Sequence, residues 1–101
     1  MAAKIIIDEQ VKNYFTTDKR QHLVDYCQQK LPIYVKQRSS KIKPVRSNID
    51  HLYELKVRVG KQFFRLAYFN KDTVIQVSYI TDTLQKIKFD REVTRFLNKV
   101  K

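Results

Sequence analysis

The stretch that most constrains this chain is Leu52–Phe69, where apolar and polar residues alternate on either side of the lone glycine, Gly60. Tyr53, Leu55, Val57 and Val59 share one parity, while Glu54, Lys56 and Arg58 share the other with Leu52. A period of two sends successive side chains to opposite faces of a strand, so the pattern predicts one edge of a sheet core. Gly60-Lys61 predicts a tight turn, because glycine reaches positive φ without steric cost. Gln62–Phe69 then predicts a second strand, with Phe64, Leu66 and Tyr68 on one face and Phe63, Arg65, Ala67 and Phe69 on the other. Asn70-Lys71-Asp72 reads as a further turn, and Thr73–Ile80 as a third strand with Ile75, Val77 and Tyr79 on one face. Three strands joined by short turns make an antiparallel meander.

The first half reads differently. Lys4–Asp8 is a short β-branched run and predicts a strand. Glu9–Leu31 predicts helix, with Val11, Tyr14 and Phe15 at helical spacing, interrupted at Thr16-Thr17-Asp18. Asp18 and Gln21 have the spacing of a capping box, so a second helix is expected from Lys19, burying Leu23, Val24, Cys27 and Leu31. Pro32 is expected to end it. Ile33–Asp50 holds Ser39-Ser40, Pro44 and Ser47-Asn48 and reads as a long loop. At the other end, Asp90 is expected to cap a last helix bearing Val93, Phe96, Leu97 and Val100. The order strand, two helices, three-stranded meander, helix predicts an α+β fold, and 101 residues predict one domain over 1–101.

Charge narrows the function. The chain carries 21 Lys and Arg against 10 Asp and Glu, a formal charge of +11. Most of the excess lies between Lys36 and Arg65: Lys36, Arg38, Lys41, Lys43 and Arg46 precede the meander, and Lys56, Arg58, Lys61 and Arg65 lie in it. A field of one sign is what a polyanion-binding surface needs; a merely solvated lysine-rich face is the plainer alternative. No apolar run is long enough to span a membrane, and Met1–Ile7 is too short for a secretory signal. One cysteine excludes an internal disulfide and points to a reducing, cytoplasmic setting. Cys27, His22 and His51 have no zinc-ligand spacing, and with one glycine there is no phosphate-cradling loop, so neither metal nor cofactor is expected.

His51–Tyr68, HLYELKVRVGKQFFRLAY, resembles the RelE/ParE superfamily of bacterial toxins, and its HigB-like branch most closely. The shared elements are Tyr53-Glu54-Leu55-Lys56 on one strand and Phe64-Arg65-Leu66-Ala67-Tyr68 on the next, with Lys43-Pro44 upstream and Asp90-Arg91-Glu92-Val93 near the last helix. The resemblance implies a RelE-like fold and the toxin of a type II toxin–antitoxin pair. On that reading the partners are mRNA, the ribosome and a cognate antitoxin, and the activity is metal-independent endoribonucleolytic cleavage of mRNA on the ribosome. ParE-like members share the fold and poison gyrase, so a non-catalytic inhibitor is the alternative. Where the family presents a basic pair after its last core strand, this chain has Thr81-Asp82-Thr83, with Lys86, Lys88 and Arg91 further on.

Metal-free RNA cleavage needs a base near the 2′-OH, an acid at the leaving 5′ oxygen and cations on the phosphorane between them. Lys56, Arg58 and Arg65 fall on neighbouring strands and Lys86 just beyond, making these four the candidate catalytic group. Arginine suits bidentate phosphate contact, and a lysine crowded by cations suits a base. Lys36, Lys41, Lys43, Arg46, Lys61, Lys88 and Arg91 are the candidate nucleic-acid-binding residues. Arg65 is equally placed to pair with Glu54 across the sheet. Phe63 and Phe69 face the Arg65 side, where core packing is the default and base stacking the alternative. His51 is a minor acid–base candidate, His22 a solvated helix residue, and Cys27 a small buried hydrophobe.

Overall fold

The computed structural model describes residues 4–99. The strands are β1 (Lys4–Ile7), β2 (Lys43–Pro44), β3 (Leu52–Val59), β4 (Gln62–Lys71) and β5 (Val74–Thr81). The helices are α1 (Glu9–Lys12), α2 (Thr17–Gln29), α3 (Leu31–Lys36) and α4 (Lys86–Lys99). One five-stranded sheet runs in the order β1-β5-β4-β3-β2. The expected meander is its centre, with antiparallel β3–β4 and β4–β5 pairing. β1 adds in parallel to β5, a pairing that requires the crossover which α1–α3 provide.

Helices cover both faces. Leu23, Cys27 and Leu31 pack with Leu55, Val57, Val59, Phe64, Leu66 and Tyr68 on one. Phe89, Val93 and Leu97 of α4 pack on Leu52 and Ala67, with Val45 and Ile49, on the other. The alternation of β3 and β4 thus sorts side chains as the sequence indicates. Gly60 has φ +65°, the left-handed conformation that its turn demands. Cys27 is fully buried, and burial pushes its thiol up to about 12.

Several local expectations are corrected. Pro32 does not close a helix; it sits in the first turn of α3, where its missing N–H has no intrahelical partner to lose. α3 and β2 occupy part of the segment expected to be loop. α2 starts at Thr17, and no capping box forms: Gln21 donates to Asp25 at 2.8 Å instead. α4 begins at Lys86, four residues before the expected cap, and Asp90 lies buried inside it. Val100, expected on this helix's apolar face, lies outside the described residues, as do the first three of Met1–Ile7.

The third strand departs most. Its register with β4 runs Ala67 opposite Tyr79 and Tyr68 opposite Val77, so Ser78 is an extra residue in a β-bulge. A bulge reverses parity beyond itself. Ile75 and Val77 face the α2 side as expected, but Ile80 joins them while Tyr79 turns toward α4.

Candidate functional site

The α4-facing side of the sheet is covered at one end and open at the other. Direct cross-strand neighbours there are Lys56 with Arg65, Arg65 with Thr81, and Arg58 with Phe63. Beyond the reach of α4, Lys56, Arg58 and Phe63 are exposed, Phe63 by 46%. The Lys56 ammonium stands 5.2 Å from the Phe63 ring centroid and the Arg58 guanidinium 5.9 Å, within cation–π range. Arg58 Nε also donates to the Gly60 carbonyl at 3.2 Å, which holds it against the turn. The default of Phe63 as core is therefore overturned: it is a solvent-facing aromatic platform between two cations. Phe69, six residues on, follows the default and packs beside the α4 core.

Behind this platform lies a network of ion pairs. Glu54 is fully buried, and its Oε2 accepts from Arg65 Nη1 at 2.6 Å. Arg65 Nε donates to the Leu84 carbonyl at 2.7 Å, and its guanidinium lies 6.0 Å from the Phe89 ring centroid. Ala67, opposite Glu54 in register, belongs to the cluster that takes in Phe89, so a small side chain here helps α4 close over the ion pair. Arg65 is thus paired with Glu54, the alternative the sequence left open, yet keeps 18% of its side chain in solvent. Both roles are compatible: two anchored nitrogens aim the remaining N–H groups.

Lys86 is a junction. Its ammonium donates to Asp90 Oδ1 at 2.7 Å and to the Pro44 carbonyl at 2.9 Å, and stands 3.6 Å from Glu54 Oε1. It ties α4, β2 and β3 together beneath the platform. Lys43, opposite Glu54 on β2, and Lys61, in the turn, are exposed at its margins. The structure therefore gathers Lys43, Lys56, Arg58, Lys61, Arg65 and Lys86 toward one region. It does not bring in the others: Lys36 ends α3, Lys41 stands 4.9 Å over the Tyr34 ring, and Arg46 is exposed in the loop after β2. Lys88 and Arg91 line a separate groove on the β5 flank of α4.

Thr81-Asp82-Thr83, which stands where the resemblance leads one to expect a basic pair, is a tied-down turn. Thr83 Oγ1 donates to Glu92 Oε1 at 2.7 Å, and the Tyr79 hydroxyl to Glu92 Oε2 at 2.5 Å. Burial alone raises the pKa of Glu92, but hydrogen bonds from Tyr79, Thr83 and Thr81 outweigh it and hold the carboxyl below its ordinary value. Such a depressed group stabilises the fold above its ordinary pKa, and the contribution fades as pH falls through the folded value. Tyr79→Phe removes the strongest donor and is expected to lower stability at neutral pH, measured by urea unfolding, with the deficit shrinking as pH falls through the carboxylate range.

Sequence reading undervalued Glu54, treating it only as a partner for Arg65, and took Tyr14 for a helix-stripe residue. Tyr14 lies beyond α1, is 43% exposed, and meets Phe15 and Phe64 edge-on with ring centroids 5.0 and 5.8 Å away. Desolvation and then the Asp82 charge raise its pKa, so it stays protonated. His51 lies in the turn just before β3, at the opposite end of the strand from Arg58, roughly 23 Å away at about 3.3 Å per residue. It lines a hollow of about 770 Å³ with Asp50 and Asp72. That hollow holds none of the candidate catalytic residues; the cationic end is an open platform, suited to an extended chain rather than a small molecule.

This sheet with helices on both faces is a RelE-like fold. Among solved structures, a double arginine-to-alanine variant of E. coli toxin RelE in the free state is similar, with a TM-score of 0.55 and 22% identity. The match covers 94% of this chain and 98% of that one. No family model and no curated protein sequence matches. No helix among the described residues is long and apolar enough to cross a membrane.

Proposed function

We propose that this single-domain chain is a HigB-like toxin of a type II toxin–antitoxin pair that cuts mRNA on the ribosome. The observation that carries the reading is the Lys56–Arg58–Phe63–Arg65 platform, in which a base-stacking surface and phosphate-binding cations share one exposed sheet end. Phe63 takes a base, and Arg58 and Arg65 hold the scissile phosphate. Lys56, in its neutral amine form, accepts the 2′-OH proton as that oxygen attacks phosphorus and the 5′ oxygen leaves, producing a 2′,3′-cyclic phosphate. The leaving oxygen needs a proton, and Tyr14 is a protonated hydroxyl at the same end of the sheet. Removing one preorganised donor from such a site costs about 3–4 kcal/mol of transition-state stabilisation. Lys86 enters as the anchor of Glu54 and α4. Lys43 and Lys61 steer the strand electrostatically, and a cognate antitoxin neutralises the toxin in its cytoplasmic setting.

A second reading has one observation in its favour. The turn Thr81-Asp82-Thr83 carries no cation and is bound into the Glu92 network, which suits a toxin of the same fold that inhibits gyrase or another partner by binding. A purified translation reaction with end-labelled mRNA, run with and without ribosomes, separates the two. Cuts that need ribosomes and leave cyclic phosphate ends support the nuclease. Arrested growth on expression with intact mRNA supports the binding inhibitor.

A further inference from the structure

The outer surface of α4 has a charge arrangement that the platform does not explain. Two acids lie near the middle of the helix, and both are turned inward: Asp90 is 5% exposed and bound to Lys86, and both oxygens of Glu92 accept hydrogen bonds from Tyr79 and Thr83. A helix built only for solubility commonly sets acids and bases four apart on its outer face. Here that face keeps Lys88, Arg91, Arg95 and Lys99, all exposed, and none has an ion pair among the described residues.

These four cations follow one flank at intervals of three, four and four residues, a rise of about 4.5–6 Å per step. They edge a groove of about 430 Å³ whose other lining residues are Tyr79, Phe96 and Glu92. Tyr79 and Phe96 are half-buried, with ring centroids 4.8 Å apart and planes inclined by 42°. Aromatic faces beside a row of cations take up unpaired bases and their phosphates together, a combination duplexes cannot use because their bases are stacked inside. The β-bulge at Ser78 creates this floor, because without it Tyr79 would face α2.

We propose that the groove between α4 and β5 is a second RNA-binding surface, a track for the phosphate backbone of single-stranded RNA, separate from the Lys56–Arg65 platform. It goes beyond the cleavage reading and does not depend on it. Lys88, Arg91, Arg95 and Lys99 contact successive phosphates without regard to sequence, and Tyr79 and Phe96 receive a base. The row begins near the α4 N-terminus, beside the Arg65 anchor, and leads away from it, so one strand can engage both surfaces.

The test is binding of a fluorescent 2′-O-methyl oligoribonucleotide, which cannot be cleaved by 2′-OH attack, across a range of salt concentrations. Each phosphate contact on a single strand contributes about 0.7 to the slope of log affinity against log salt. Arg91→Ala with Arg95→Ala is expected to lower that slope by about 1.4 and weaken binding roughly tenfold at low salt. Lys30→Ala with Lys71→Ala, exposed cations elsewhere, leaves both unchanged, and Arg91→Lys with Arg95→Lys keeps the slope. Circular dichroism melts confirm that each variant is folded. Parental affinity and slope in the Arg91/Arg95 alanine variant would overturn the proposal. So would unchanged RNA binding combined with lost binding to a glutamate-rich peptide, which would assign the groove to an acidic protein instead.

Discussion

Arg65→Ala is expected to harm the protein in two separable ways, slowing RNA cleavage about 10²–10³-fold and lowering stability by about 3–5 kcal/mol. The stability loss follows from Glu54, which is fully buried and would lose its 2.6 Å partner. Lys86 remains 3.6 Å from the other carboxylate oxygen, so the loss belongs at the lower end of the range. Replacing both members, Glu54→Leu with Arg65→Met, removes the orphaned charge and is expected to restore most of the stability. Cleavage stays lost, because the phosphate-facing guanidinium is gone. Urea unfolding and cleavage rates on the same preparations check both halves. An unchanged urea midpoint for Arg65→Ala would show that Glu54 is satisfied without it.

Lys56→Ala is expected to do the opposite: abolish most activity and leave the fold alone. The side chain is exposed and has no ion pair among the described residues, so the stability change should stay within about 0.5 kcal/mol. As the assigned base it should be worth about 10²–10⁴-fold in cleavage rate. Lys56→Arg separates that role from simple charge, since a guanidinium stays protonated and cannot take the 2′-OH proton. Substitution by arginine should therefore keep RNA affinity while cleavage falls nearly as far as with alanine. Parental rates in both variants would place the base elsewhere.

Much of the platform can be read from local sequence. Gly60 marks the turn, and the alternation on either side assigns Lys56, Arg58, Phe63 and Arg65 to one face, because a strand's parity is a local property. Their exposure is not local. Whether Phe63 is core or platform depends on where α4 stops, and α4 begins four residues earlier than a capping reading of Asp90 predicts. Lys86 satisfies Asp90 within the helix and joins it to β2, and neither contact leaves a periodic signal.

The same division holds across the molecule. Sequence by itself determined the antiparallel centre of the sheet, the apolar faces of α2 and α4, and the basic character of the α4-facing side. Each of these follows from residue spacing along a continuous segment. Only the tertiary structure decided that Pro32 starts a helix, that β1 pairs in parallel with β5, and that Glu54 is a buried anchor. It also decided that the bulge at Ser78 turns Tyr79 toward α4. These outcomes depend on contacts between segments far apart in the chain, where the free energy of closing the core overrides local preference, and one extra residue in a ladder reverses every side chain beyond it.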